Sequence, residues 1–264
     1  MTHRPLTLAA LLGACTPRPV PSDTSPVPPT TPAQPVPPTT SPVPPTTSAE
    51  PVPPTTPAPT SPVPPTTPSP RPPPPGFIDL RAALPGACFT PGYAAADNFT
   101  GAPLPGYAAA GAWLLAKPAA ALARVQAALA ADHLSLLIFD AYRPRRASEA
   151  MVSWAEQHDR GDLLRGGYIA RKSNHNHGTT VDLGLATPDC RPLDMGTAWD
   201  TLDPRSHTTA ATGAPLKNRL RLRQAMRAAG FRDYPREWWH FSLPLAGTTP
   251  RDVPYGPNEA PEPG

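Results

Sequence analysis

The sequence predicts an α+β fold: a small, mostly antiparallel sheet carrying a metal site, with helices packed on one side, behind a long disordered Pro-rich linker. Three observations point there. Val181, Leu183 and Leu185 alternate with Asp182 and Gly184, and Trp239 and Phe241 alternate with His240 and Ser242. Each of these strands therefore turns a polar side chain away from an apolar face. Three further segments repeat apolar residues at helical spacing. The 45 prolines among 264 residues far exceed the usual ~5% and crowd ahead of residue 76, leaving about one domain's worth of ordinary sequence behind them.

The chain reads as four parts. Residues 1–15 resemble an export signal: Arg4 supplies the positive start, Leu6 to Leu12 a short apolar run, and Leu12-Gly13-Ala14-Cys15 a lipobox with cleavage before a lipidated Cys15. The run is too short to span a membrane, which needs ~18 or more apolar residues. Residues 16–75 form a linker in which Pro-Val-Pro-Pro-Thr-Thr recurs from Pro26, Pro35, Pro42, Pro51 and Pro62. Such a tract buries no core and favours extended polyproline II. At ~3.1 Å per residue it could reach on the order of 150–190 Å, a stiff spacer between an anchor and the domain. The folded domain occupies residues 76–256, and residues 257–264 are a polar, proline-rich, disordered tail. The net charge of +3 is mild, and no basic cluster with interleaved aromatics points to nucleic acid.

Within the domain, Tyr93 and Tyr107 flank a Gly- and Pro-rich loop around Asp97-Asn98-Phe99-Thr100-Gly101. Pro118 suits the first residue of a helix, with Leu122, Val125 and Leu129 on one face. Leu134 to Phe139 is a buried strand that delivers Asp140-Ala141-Tyr142-Arg143-Pro144 at its end. Ala147 to His158 is a second helix with Ala147, Ala150, Met151 and Trp154 inward. Asp194 to Asp203 is loop. Pro215 to Ala229 is a third helix, stopped by Gly230, with Leu222, Ala225, Met226 and Ala229 buried and its arginines on a solvated face. With Cys15 taken by lipid, Cys88 and Cys190 are an even pair in an oxidising compartment and are expected to bond.

The chemistry lies in Ser173-Asn174-His175-Asn176-His177-Gly178-Thr179-Thr180-Val181-Asp182 and in Glu237-Trp238-Trp239-His240. Together they offer imidazoles and a carboxylate at ligand-like spacing, and a second carboxylate three residues before a ligand. A catalytic zinc needs three protein ligands, an open position and a base. Asp182 and His240 point from their strands to the site. Glu237, at the entry to its strand, can act as base without binding the metal. His175 and His177 both precede the first strand, and alternation does not choose between them. Gly178 sits in the turn there, where a positive φ or a close approach is expected.

These motifs, with Asp97 to Gly101, Asp140 to Pro144, Met195-Gly196-Thr197-Ala198-Trp199-Asp200 and Arg205-Ser206-His207, resemble the D-alanyl-D-alanine dipeptidases of the VanX type over roughly Phe77 to Tyr255. The resemblance selects His175, with Asp182 and His240, as ligands of one zinc ion per domain, and Glu237 as general base. His177, where relatives would carry an arginine or similar residue, is left for the cleft rim or a hydrogen bond behind the metal. The resemblance also implies that Arg143 stabilises the oxyanion, that Asp200 receives the free amino group of the dipeptide, and that Ser173, Tyr93 and Tyr107 line the substrate pocket. It implies hydrolysis of D-Ala-D-Ala in cell-wall turnover or glycopeptide resistance; the export signal and the spacer, separately, lead us to expect the domain outside the cytoplasmic membrane and near peptidoglycan. The alternatives are a stem-peptide carboxypeptidase or endopeptidase, favoured by the spacer, and a non-catalytic zinc-stabilised wall-binding module.

Overall fold

A computed structural model describes residue 69 and residues 71–256. The expected signal with Cys15, nearly all of the expected linker and the tail from residue 257 lie outside the described residues. The first element, β1 (Phe77–Asp79), pairs antiparallel with β3 (Trp113–Leu115). Asp79 then caps the one-turn helix α1 (Leu80–Ala83), its carboxylate accepting from the Arg81 amide.

The main sheet has five strands in the order β2 (Cys88–Phe89), β4 (Ser135–Asp140), β5 (Thr180–Ala186), β7 (Glu237–Ser242), β6 (Arg232–Tyr234). Only the β2–β4 pair is parallel. Its central strand is buried along its whole length. Val181, Leu183 and Leu185 face α2 (Ala116–Ala130) and α5 (Gly213–Ala228), where they join Leu122, Val125, Leu129, Leu222 and Met226 in one core. Asp182 and Gly184 face the other way, and Gly184 leaves room for Phe139 and Trp238. Pro118 falls in the first turn of α2, where its missing N–H costs no intrahelical bond.

Not all helices lie on one side. The second expected helix is α3 (Arg145–Gln157), followed by a short α4 (Gly161–Gly166). Both pack in a separate aromatic cluster with Tyr93, Tyr107, Trp113, Tyr142 and Tyr255. The expectation that the arginines of α5 are all solvated also fails for one of them. Arg219 is 1% exposed and donates to the carbonyls of Met195, Arg205 and His207. A buried guanidinium needs that many acceptors, and here they come from both sides of Asp200. Cys88 and Cys190 are bonded, with Cα atoms 5.6 Å apart, which ties edge strand β2 to the turn after β5.

Candidate active site

Strand register assembles the site. Asp140 of β4 pairs with Asp182 of β5, and Asp182 pairs with His240 of β7, so three polar residues stand side by side. Alternation alone would put Asp140 on the same face as Ile138, which lies in the helix-facing core. A register shift between Ile138 and Asp140 turns the latter to the opposite face.

His175 comes from a 3-10 turn, Asn174–His177, just before β5. The Ser173 hydroxyl caps it, accepting from the His175 amide at 3.3 Å. Gly178 ends it at φ +67°, and a Cβ there would sit 2.3 Å from the Phe77 ring, so only glycine fits. His175 Nδ1 lies 2.6 Å from the Ala141 carbonyl. A carbonyl only accepts, so Nδ1 carries the proton and Nε2 is left to face the centre.

Three atoms converge there. His175 Nε2 is 3.2 Å from Asp182 Oδ1, His240 Nδ1 is 3.1 Å from the same oxygen, and the two nitrogens are 3.3 Å apart. Asp182 Oδ1 is buried and takes no hydrogen bond. Ligand atoms about 2.0–2.1 Å from a tetrahedral metal stand roughly 3.3 Å from one another, so this triangle has the dimensions of one face of such a site. Among the described residues these side chains form the group able to hold a metal ion. Burial pushes the Asp182 carboxyl up, but the His175 and His240 imidazoles outweigh it and hold it well below the usual range. Burial pushes the His240 imidazole down, favouring the neutral form that a ligand requires.

Around the triangle is a cavity of about 340 Å³ lined by Arg143, Ser173, Asp200, Glu237 and Tyr93, among others. Glu237 is 7% exposed, and its Oε2 lies 3.6 Å from His240 Nδ1. Burial, and then the charges of Asp182 and Asp200, raise its proton affinity well above that of a free carboxylate. Asp200 is half-buried at φ +58° and accepts from the Tyr93 hydroxyl at 2.7 Å. Burial pushes its carboxyl up to about 7. The Arg143 guanidinium lies over the Tyr93 ring, 4.9 Å from its centroid. It reaches Asp140 Oδ2 at 2.8 Å and Asp182 Oδ2 at 3.4 Å.

Two expectations are corrected. Tyr107 does not line the cavity: it is 1% exposed, and its hydroxyl donates to Asp140 Oδ1 at 2.5 Å. His177 reaches neither cleft nor metal group but pairs through Nδ1 with Thr248 Oγ1 at 3.1 Å. Asp140 was missed as a site residue. Asp140 accepts from Tyr107 and Arg143 and lies 3.4 Å from His175 Nδ1, so one buried carboxylate fixes three neighbours. Its place at a strand end within a quoted motif was the available signal. Lys172, Tyr168 and Tyr234 also line the cavity.

Comparison with known proteins identifies the family. A family model described as D-ala-D-ala dipeptidase matches residues 74–255. A D-alanyl-D-alanine dipeptidase of Enterococcus faecalis is 37% identical over 184 residues, covering 64% of this chain and 91% of the relative. One from Enterococcus faecium is 36% identical over 200 residues, covering 68% and 94%. One from Escherichia coli is 35% identical over 175 residues, covering 66% and 87%. With the family model spanning the whole sheet and every residue of the cavity, the chain belongs to the D-Ala-D-Ala dipeptidase family of metallopeptidases.

Proposed function

We propose that this protein hydrolyses free D-Ala-D-Ala to two D-alanines, using one zinc ion held by His175, Asp182 and His240. The observation that carries the reading is the triangle of donor atoms 3.1–3.3 Å apart, with the Glu237 carboxylate beside it and Asp200 in the same cavity. When bound, zinc supplies Lewis acidity, polarising the scissile carbonyl and making water easier to deprotonate. Glu237 is placed to take the proton of the attacking water and pass it to the leaving amine, and its raised proton affinity suits that exchange. Arg143 cannot lose its proton and is oriented by Asp140 and Asp182, so its charge is preset for the developing oxyanion. Asp200 pairs with the substrate ammonium, oriented by Tyr93, and Ser173 contacts the substrate or fixes the loop. Asp140 and Tyr107 act as positioning residues behind Arg143 and His175.

The same proposal covers the rest of the chain. Residues 1–15 export it, Cys15 anchors it in a membrane through lipid, and residues 16–75 hold the domain away from that anchor, near peptidoglycan and outside the cytoplasmic membrane. The Cys88–Cys190 bond supports export, because such bonds persist in oxidising compartments. The role is cell-wall turnover or glycopeptide resistance.

The test is to incubate the protein with free D-Ala-D-Ala, a tripeptide ending in D-Ala-D-Ala and a muropeptide, with and without a chelator. Release of D-alanine from the dipeptide alone, stopped by the chelator and restored by zinc, is expected. Preferred cleavage of the longer substrates would replace this reading with the carboxypeptidase or endopeptidase one.

A further inference from the structure

The two helices that cover the sheet's other face have an unusual outer surface. Neither α2 nor α5 contains an aspartate or glutamate, whereas α2 carries Lys117 and Arg124, and α5 carries Lys217, Arg221, Arg223 and Arg227 besides the buried Arg219. Lys117 and Arg124 are seven residues apart, Lys217 and Arg221 four, so each pair lies along one outer stripe of its helix. The helices pack side by side on the same core. Arg221 pairs with Asp132 and Arg227 with Asp233, yet their side chains remain 44% and 57% exposed. Lys117, Arg124, Lys217 and Arg223 have no carboxylate within ion-pair distance among the described residues, and only Arg223 is half-buried. Small or neutral residues such as Ala120, Ala214 and Gln224 are exposed on the same two helices.

We propose that this face docks a linear polyanion: a flexible polymer with regularly spaced phosphate groups. Charge complementarity supplies the attraction, and release of the polymer's counterions the driving force. A lipid bilayer fits less well. Faces that dock on bilayers join cations to apolar side chains that insert, and the one large hydrophobic side chain exposed among the described residues is Ile78, on β1. Because Asp182 and His240 point from the opposite face of the sheet, a polymer held here leaves the cavity open. The domain would stay among polyanionic strands while acting on a small substrate. This inference does not depend on the reaction proposed above.

The full chain is titrated with long-chain inorganic polyphosphate, with inorganic phosphate at equal phosphorus, and with phosphatidylglycerol vesicles at equal charge. Tight binding to the chain form alone is expected, with log K falling against log salt at a slope of about −3 to −4 for four released contacts. The quadruple variant Lys117→Glu, Arg124→Glu, Lys217→Glu, Arg223→Glu should bind at least about tenfold more weakly while D-alanine release stays at the wild-type rate. The variant Arg145→Glu, Arg160→Glu, Arg165→Glu, Arg191→Glu, with the same change in net charge elsewhere, should keep binding. If the first quadruple variant fails to fold, the glutamine versions of the same substitutions should show the same loss in smaller measure. Undiminished binding by these variants, equal loss in the control variant, or equal binding to vesicles would overturn the proposal.

Discussion

Asp182 divides its carboxyl between two tasks: Oδ1 faces two imidazole nitrogens, and Oδ2 lies 3.4 Å from the Arg143 guanidinium. The candidate metal ligands and the Arg143 guanidinium are thereby fixed to one residue of a buried strand. Asp200 has a looser setting, and its titration gives a test. With its carboxyl raised to about 7 by burial, it is largely neutral below that pH and anionic above it. Pairing with a substrate ammonium requires the anion, so the stabilisation is present above about pH 7 and is lost as pH falls. The ratio of kcat/KM for D-Ala-D-Ala to that for N-acetyl-D-Ala-D-Ala should therefore fall on acidification. At high pH it should be on the order of 30-fold or more, since breaking such a pair costs about 2–5 kcal/mol. Asp200→Asn should flatten the profile and narrow the gap; a pH-independent ratio in the wild type would argue against an amine-binding role. Strand alternation offered Asp182, and the family resemblance carried by the quoted motifs offered His175, Arg143 and Asp200. The sequence did not show that Tyr107 points at Asp140 instead of the cavity, because a side chain's direction in a loop is set by packing partners far along the chain.

At the level of elements, the long pieces were legible and the short ones were not. The strands β4, β5 and β7 and the helices α2, α3 and α5 have enough residues for periodicity to show. β1, β2 and β3 hold two or three residues each, and α4 only six, below what a pattern can reveal. The register shift before Asp140 is likewise silent in the sequence, although it decides which face that carboxylate serves. Helix α5 contributes to the cavity at a distance. Through Arg219 it holds the carbonyls of Met195, Arg205 and His207 and so braces the segment that presents Asp200. Arg219→Ala would leave three carbonyls without their donor. At roughly 1 kcal/mol or more for each, the melting temperature should drop by about 6–12 °C. KM for D-Ala-D-Ala should rise more than kcat falls if, as proposed, the loosened part binds substrate and does no proton transfer. Steady-state kinetics of the folded variant would show this split; an unchanged KM would mean that the segment holds its shape without α5.

Across the whole molecule, the fold class follows from a simple division. One face of the sheet is filled by aliphatic residues against α2 and α5; the other carries Asp140, Asp182 and His240 in register. The alternating patterns around Asp182 and His240 made that division readable, and the Cys88–Cys190 bond was readable once Cys15 was set aside as the expected lipid site, leaving two of the three cysteines. The second aromatic cluster around Tyr142 and Tyr255 was not readable, since it gathers residues from Phe77 to Tyr255 with no local pattern. The proposed reaction rests on one zinc, on His175, Asp182 and His240, working with Glu237 to cleave a free dipeptide. The direct measurement is zinc content and D-alanine release from D-Ala-D-Ala on the same samples of wild type, Glu237→Ala and His240→Ala. One zinc per chain is expected in the wild type and in Glu237→Ala, with release in the latter down by about 10²–10⁴-fold, and both zinc and activity should be lost in His240→Ala. Loss of zinc from Glu237→Ala as readily as from His240→Ala, or wild-type release by Glu237→Ala, would contradict the proposed reaction.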